Sequence, residues 1–471
     1  MRKARTTLVV AALTLVAAAC GSTLDDKQIA AAIGNRQAAS PTGSGNGATA
    51  TTALDGLRPG ESDSGRGSTS GSGTRRTGSS GTGSGSATNT TVGPRLTASD
   101  VGVTETTITI GNVSTVGGPV PGVFKGGQEG IKAFVTYVNS QGGINGRTLR
   151  LVNADDGLDA NRNRANTAAL AAKVFAFVGS TSGVDYAGGE VLKETGVPDV
   201  GLALSPGRND LPNQFSPNPV RTDVVGIGSF NWFKEKFPGA EKKAALFWHT
   251  QAISKENGDR FKRGAEKVGY EFVYTAETQP TEPNYTSHVL AMRQAGVRFI
   301  YTVMEVNSIS RLTKAMEQQD FHVDVPNYGP QVYSQQFLRV AGTSAEGTLI
   351  YTPHALFEDR GALPEMALFL EWMQRAAPKT EPDLFALSAW ASGRLFEQAA
   401  RAAGPNLTRA GLLAELGKVD SFDANGLIAE VGPASKRSPT CFVISTVRNG
   451  AWVRVDPPSG YICDRGTYVA L

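Results

Sequence analysis

VFAFVGSTSGVDYAGGEVLKETGVPDVGLALSPGRND, residues 174–210, reads as strand, polar turn, helix, turn, strand and a second polar turn. The apolar run at residues 174–178 is long enough for a buried strand and too short for a helix. It stops at Gly179-Ser180-Thr181-Ser182-Gly183, whose hydroxyls suit the cap of a following helix. That helix is predicted to end near Gly196. Residues 197–204 then return as a second strand, closing in Ser205-Pro206-Gly207-Arg208-Asn209. In an open α/β sheet, ligands bind outside the carboxyl ends of strands, where helix N-termini offer free N–H groups. Both polar turns are therefore expected at one crevice.

Upstream the same alternation holds. TTITIGNV (residues 106–113) reads as a strand, and STVGGPVPGVFKGG as a Gly/Pro-rich loop. GIKAFVTYVNSQ sets Ile131, Phe134, Val135 and Val138 at helical spacing. The turn GGINGR, a strand at residues 149–152, Asp155-Asp156 and an Ala-rich helix at residues 163–173 complete the approach. Strands alternating with helices predict a mostly parallel sheet covered on both faces. Downstream, strands are predicted at residues 244–249, 270–274, 297–304, 441–447 and 452–455. Helices are predicted at residues 257–268, 286–294, 309–318, 363–374 and 385–403.

The first twenty residues read as an export signal: Arg2, Lys3 and Arg5 precede an apolar run too short to span a bilayer. The run closes at Ala17-Ala18-Ala19-Cys20-Gly21. Small residues before a cysteine are similar to a bacterial lipobox, making Cys20 the expected lipidation site, although AAA also suits an ordinary signal peptidase. Either way the mature chain is expected outside the cytoplasm. Residues 21–103, rich in Gly, Ser and Thr, lack the apolar side chains that would offset ordering entropy and are expected to form a disordered tether. About 55 such residues span roughly 40 Å as a flexible coil.

The net charge of +3 over 471 residues, without a basic run, argues against nucleic acid, and no second apolar stretch suggests a membrane span. Besides Cys20, only Cys441 and Cys463 remain, and in an exported chain they are expected to pair as a disulfide. His249, His288, His322 and His354 are not spaced as a zinc signature, so no metal or cofactor is expected. GSTSG is not the G-x-S-x-G nucleophile elbow, and the Gly-Pro loop does not match G-x-G-x-x-G, which argues against an enzyme.

The Gly-Pro loop, amphipathic helix, GGINGR, strand, Asp-Asp, helix, VGSTSG and SPGRND together resemble the solute-binding proteins of branched-chain amino-acid ABC importers, of the leucine-binding-protein type. The resemblance implies an α/β type I periplasmic-binding fold: two Rossmann-like lobes, each a mostly parallel sheet, joined by a three-strand hinge. It places one lobe at residues 104–222 plus 352–430 and the other at residues 223–351 plus 431–471. It also implies a monomer that binds a small solute, an ABC permease and ATPase as partners, and attachment to the membrane through the lipid. A ligand-sensing receptor on the same fold is the alternative.

In the first lobe the resemblance points to Ser182 and to Gly207, Arg208 and Asn209 for a ligand carboxylate, with backbone donors at Gly183 and Gly207 and an aromatic wall at Phe124. In the second it points to Trp248, His249, Glu305 and Gln331. Gln331 falls where amino-acid binders carry the carboxylate that pairs with the ligand's ammonium. A neutral amide cannot make that charge-assisted bond. Either Glu305 replaces it or the solute is not an α-amino acid, leaving an amide, a carboxylate or another small polar solute. Each residue has a structural alternative: Ser182 as an N-cap, Arg208 as half of a pair with Asp210, Trp248 as core, His249 as a satisfied strand end.

Overall fold

The computed structural model describes residues 96–471, and the export signal, Cys20 and most of the Gly/Ser/Thr-rich segment lie outside the described residues. From Thr107 strand and helix alternate: β1 (Thr107–Ser114), α1 (Lys125–Ser140), β2 (Thr148–Asp155), α2 (Ala160–Ala171), β3 (Ala176–Val178), α3 (Asp185–Thr195), β4 (Asp199–Val200), a single turn α4 (Pro206–Asn209) and β5 (Gln214–Phe215). These strands form one parallel sheet in the order β2-β1-β3-β4-β5.

The chain repeats the plan in β6 (Val224–Gly226), α5 (Gly228–Lys236), β7 (Ala244–His249), α6 (Ala252–Lys267), β8 (Phe272–Thr278), α7 (Thr286–Ala295), β9 (Phe299–Val303), α8 (Val306–Gln318) and β10 (Val325–Pro326). A second parallel sheet runs β10-β9-β7-β8. The remainder is α9 (Gln335–Ala341), β11 (Leu349–Thr352), α10 (Pro364–Ala376), α11 (Leu384–Ala402), α12 (Arg409–Leu416), β12 (Val443–Arg448), β13 (Ala451–Asp456) and β14 (Tyr468–Ala470). β11, β12 and β13 form an antiparallel sheet, and β14 pairs antiparallel with β6.

Burial divides along the same lines. One core joins the first sheet to α10, α11 and α12 through Ile108, Phe134, Phe175, Trp390 and Phe396. The second sheet shares two cores with β12 and β13, containing Phe247, Ile300, Val443 and Trp452 in one and Leu246, Phe299 and Ile444 in the other. The two-lobed α/β expectation is met. Late segments pack onto the early sheets and share their cores, burying their apolar faces at about 1.5–3 kcal/mol per large side chain. α1 and α11 approach closely because Gly130 and Gly393 leave room: a Cβ at the first would overlap the Ala386 backbone, and at the second the Phe134 ring.

Several local expectations are corrected. Residues 97–103, read as tether, are tied into the fold: the buried Arg147 donates to Thr97 O at 2.9 Å, Thr104 O at 2.7 Å and Pro405 O at 2.8 Å. This is what the arginine of GGINGR does, and the helix-breaking glycines before it let the chain turn into β2. α3 has no side-chain cap; Val184 occupies the cap position and Gly196 ends the helix in the left-handed region. The strand expected over residues 197–204 is only two residues long, and the turn after it is the short helix α4. Cys441 and Cys463 are joined by a disulfide.

Candidate functional site

A cleft of about 610 Å³ opens between the ends of the two parallel sheets. From the first lobe it is walled by Phe124, Gly183 and Leu204, and by Asp383 and Phe385 at the start of α11. From the second come His249, Ile253, Met304, Glu305, Val306 and Gln331. Phe124 meets Phe385 edge to face, with centroids 4.7 Å apart. Of the predicted residues, Phe124, Gly183, His249, Glu305 and Gln331 come together on this cleft; Ser182, Gly207, Arg208, Asn209 and Trp248 are not among its lining residues.

The reasons are local. Ser182 is fully buried, and its hydroxyl accepts the Val184 N–H at 3.1 Å and lies 3.2 Å from both Thr115 Oγ1 and Asn163 Nδ2. Both of those partners also bond Asp156. The neighbouring Asp155 accepts N–H donors from Val116, Gly117 and Gly157. Burial raises the Asp155 carboxyl, but these donors and Arg162 outweigh it and hold it below its usual range. The Asp-Asp pair is thus a staple for the Gly-Pro loop and the 180–183 turn.

Arg208, expected to face a ligand anion or pair with Asp210, is instead buried on Asp199 through two bonds of 2.9 and 2.8 Å, with Asp185 at 3.6 Å. Burial opposes its charge, yet the two carboxylates outweigh burial and raise it. Asp185 in turn accepts the backbone N–H groups of Leu204 at 2.7 Å and Ser205 at 3.2 Å. The donors at the end of β4 are therefore already used within the protein. Asn209 is buried and spends its amide on Val220, accepting its N–H at 3.1 Å and donating to its carbonyl at 2.7 Å. Gly207 sits in α4, away from the cleft lining.

In the second lobe, strand alternation decides between Trp248 and His249: consecutive residues of β7 point to opposite faces, and only His249 lines the cleft. Trp248 packs over Gly258 and donates to Glu277 at 3.3 Å. His249 places Nδ1 3.3 Å from Thr278 O and accepts the Glu305 N–H at Nε2, also at 3.3 Å. Those partners assign the Nδ1–H tautomer, and burial lowers its pKa, keeping the ring neutral. Glu305 caps α8, accepting Asn307 N–H, Ser308 N–H and the Ser308 hydroxyl at 2.6 Å each, with Arg311 at 3.6 Å. Gln331 donates its amide to Thr302 O at 3.0 Å and Tyr328 O at 2.8 Å.

Asp383 caps α11 through the Ala386 N–H at 2.7 Å, and burial pushes its carboxyl up to about 6. Leu204, Ile253, Met304, Asp383 and Phe385 were not anticipated. Ile253 and Met304 adjoin strand ends already under suspicion and were within reach of the alternation pattern. Asp383 and Phe385 return to the first lobe some 260 residues after Phe124, and no local pattern announces that.

The alternating fold has relatives. A family model described as "Periplasmic binding protein" matches residues 107–451. A Leu/Ile/Val-binding protein homolog of Brucella suis is 25% identical over 287 residues, covering 59% of this chain and 74% of the relative. The branched-chain amino acid transporter substrate binding protein of Streptococcus pneumoniae, solved with isoleucine, aligns at TM-score 0.62 and 20% identity, over 74% of this chain and all of that one. A fatty acid ABC transporter substrate-binding protein from Thermomonospora curvata aligns at TM-score 0.65 and 20% identity, over 78% and 94%. At such identities the structural likeness concerns the fold alone. These relatives are named as binding proteins and none as an enzyme, in line with the sequence-based expectation.

Proposed function

We propose, from the premise that this chain belongs to the periplasmic binding protein family, that it is the extracytoplasmic substrate-binding component of an ABC importer. In this reading Cys20 carries a lipid anchor, and the lobes are residues 104–222 with 352–430 and residues 223–351 with 431–471. The mature monomer captures a small solute and presents it to a permease driven by an ATPase. The observation that carries the reading is the cleft itself, since Phe124, Leu204 and Phe385 of one lobe and Ile253, Glu305 and Gln331 of the other line one space. A solute touching both walls favours the closed arrangement by its extra contacts, and only those contacts shift the equilibrium.

The names of the relatives divide between branched-chain amino acids and fatty acids, so membership does not choose the solute. Calorimetry and thermal unfolding against amino acids, amides and carboxylates test the reading. At least one class is expected to bind one to one and raise the unfolding temperature; at 100 times Kd the shift corresponds to about 2.7 kcal/mol. A folded protein indifferent to every class contradicts it.

A further inference from the structure

We infer that the cleft selects a solute by its apolar body, and that its ligand class is a monocarboxylate with an extended hydrocarbon part and no α-ammonium group. This rests on the solute-binding reading above and narrows it. An α-amino acid presents two charged ends close together, and each needs a partner that is not already engaged. The first-lobe candidates for its carboxylate are engaged: the Ser182 hydroxyl by Val184, Thr115 and Asn163, the Gly183 N–H by Thr115 Oγ1 at 3.3 Å, Arg208 by Asp199 and Asn209 by Val220. The Leu204 and Ser205 N–H groups are likewise spent on Asp185. The carboxylates that could meet its ammonium are engaged as well: Asp383 on the first-lobe wall is spent as the cap of α11, accepting the Ala386 N–H at 2.7 Å. Glu305 accepts three hydrogen bonds at the start of α8 and faces Arg311, while Gln331 is neutral and gives its N–H donors to two carbonyls.

What the cleft does offer is hydrocarbon from both sides. Phe124, Leu204 and Phe385 face it from one lobe, and Ile253, Met304 and Val306 from the other. Its volume of about 610 Å³ lies in the range of about 300–1,000 Å³ that accommodates drug-sized ligands, so an extended hydrocarbon chain fits. Lobe closure reduces volume but leaves the chemistry of the walls unchanged. Three cations reach the lining. Arg339 pairs with Glu381, Lys379 is exposed, and the half-buried Lys125 has no acidic partner among the described residues. Lys125 is thus the group assigned to the carboxylate.

The test is calorimetry on the full chain, stripped of co-purified solute by denaturation and refolding, with leucine, octanamide and the series butanoate, hexanoate and octanoate. Octanoate is expected to bind one to one, affinity to rise about fourfold per added methylene, and leucine to give no heat at millimolar concentration. Lys125→Met is expected to weaken octanoate tenfold or more and leave octanamide unchanged. Leu204→Asn, on the other wall, is expected to weaken both. Leucine binding more tightly than octanoate, or affinity flat with chain length, overturns this inference and leaves the solute-binding reading standing. Silence from every compound in both this series and the wider panel overturns the reading beneath it.

Discussion

The Asp185 carboxylate receives the backbone N–H of Leu204 at 2.7 Å, so the turn after β4 is fastened to the first residue of α3 from within the protein. The bond turns what sequence reasoning takes as a ligand-facing polar turn into scaffold, and leaves the Leu204 side chain as its contribution to the cleft.

Arg208 holds this arrangement neutral enough to be buried. Arg208→Ala leaves Asp185 and Asp199 as two uncompensated carboxylates, and breaking a buried pair in this way costs about 3–5 kcal/mol. Denaturant unfolding is expected to register that loss. Unchanged stability with lost solute affinity would restore Arg208 as a ligand contact.

Gln331 is required as an amide by its own surroundings. Gln331→Glu removes two amide donors and points a carboxylate at the carbonyls of Thr302 and Tyr328. The second carbonyl keeps only the Thr302 hydroxyl among its side-chain donors, and such a buried loss costs about 1–3 kcal/mol. The variant is expected to unfold earlier and to gain no affinity for leucine. A variant that binds leucine with normal stability would show the position to be a free specificity determinant.

Two buried groups set opposing pH slopes. Asp383 is raised from 3.8 to about 6, so the stability it contributes is complete at low pH and is lost as pH rises through 6. His354, between Thr352 Oγ1 at 3.1 Å and Ser388 Oγ at 3.4 Å, is lowered by burial from 6.5 to about 4. Its contribution is complete above 6.5 and is lost as pH falls through 4. Asp383→Asn keeps the helix cap and removes only the first slope. The variant is expected to gain about 2 kcal/mol over the native chain on going from pH 4 to pH 7. A pH-independent difference between the two chains would refute the assignment.

The Cys441–Cys463 disulfide closes a separation of 22 residues next to the bridge between Phe442 and Ile462. Its replacement by two serines is expected to cost about 3 kcal/mol in the chain-entropy model. Amide exchange should quicken at Tyr468–Ala470 and at its partner strand Val224–Gly226. Solute affinity should persist, because neither cysteine lines the cleft. Loss of affinity without loss of stability would place the bridge in the binding machinery.

Much of the fold was legible because alternation of short apolar runs with helical periodicity is a local signal: β7 was placed at Ala244–His249 to the residue. The site was legible at strand ends and illegible in side-chain direction. Ser182, Arg208 and Asn209 occupy turns at the expected ends of strands, but each finds buried partners, Asp156 by way of Thr115 and Asn163, Asp199, and Val220, whose proximity depends on how distant segments fold back. Phe385 lies beside Phe124 for the same reason, and no pattern within either segment reveals it.

The most direct test of a solute held between two lobes is amide exchange on the full chain, with and without the compound that stabilises it best. Protection is expected to rise together at residues 120–126 and 383–386 of the first lobe and at residues 249–254 and 303–309 of the second. Protection confined to one lobe, or to neither, would contradict the account.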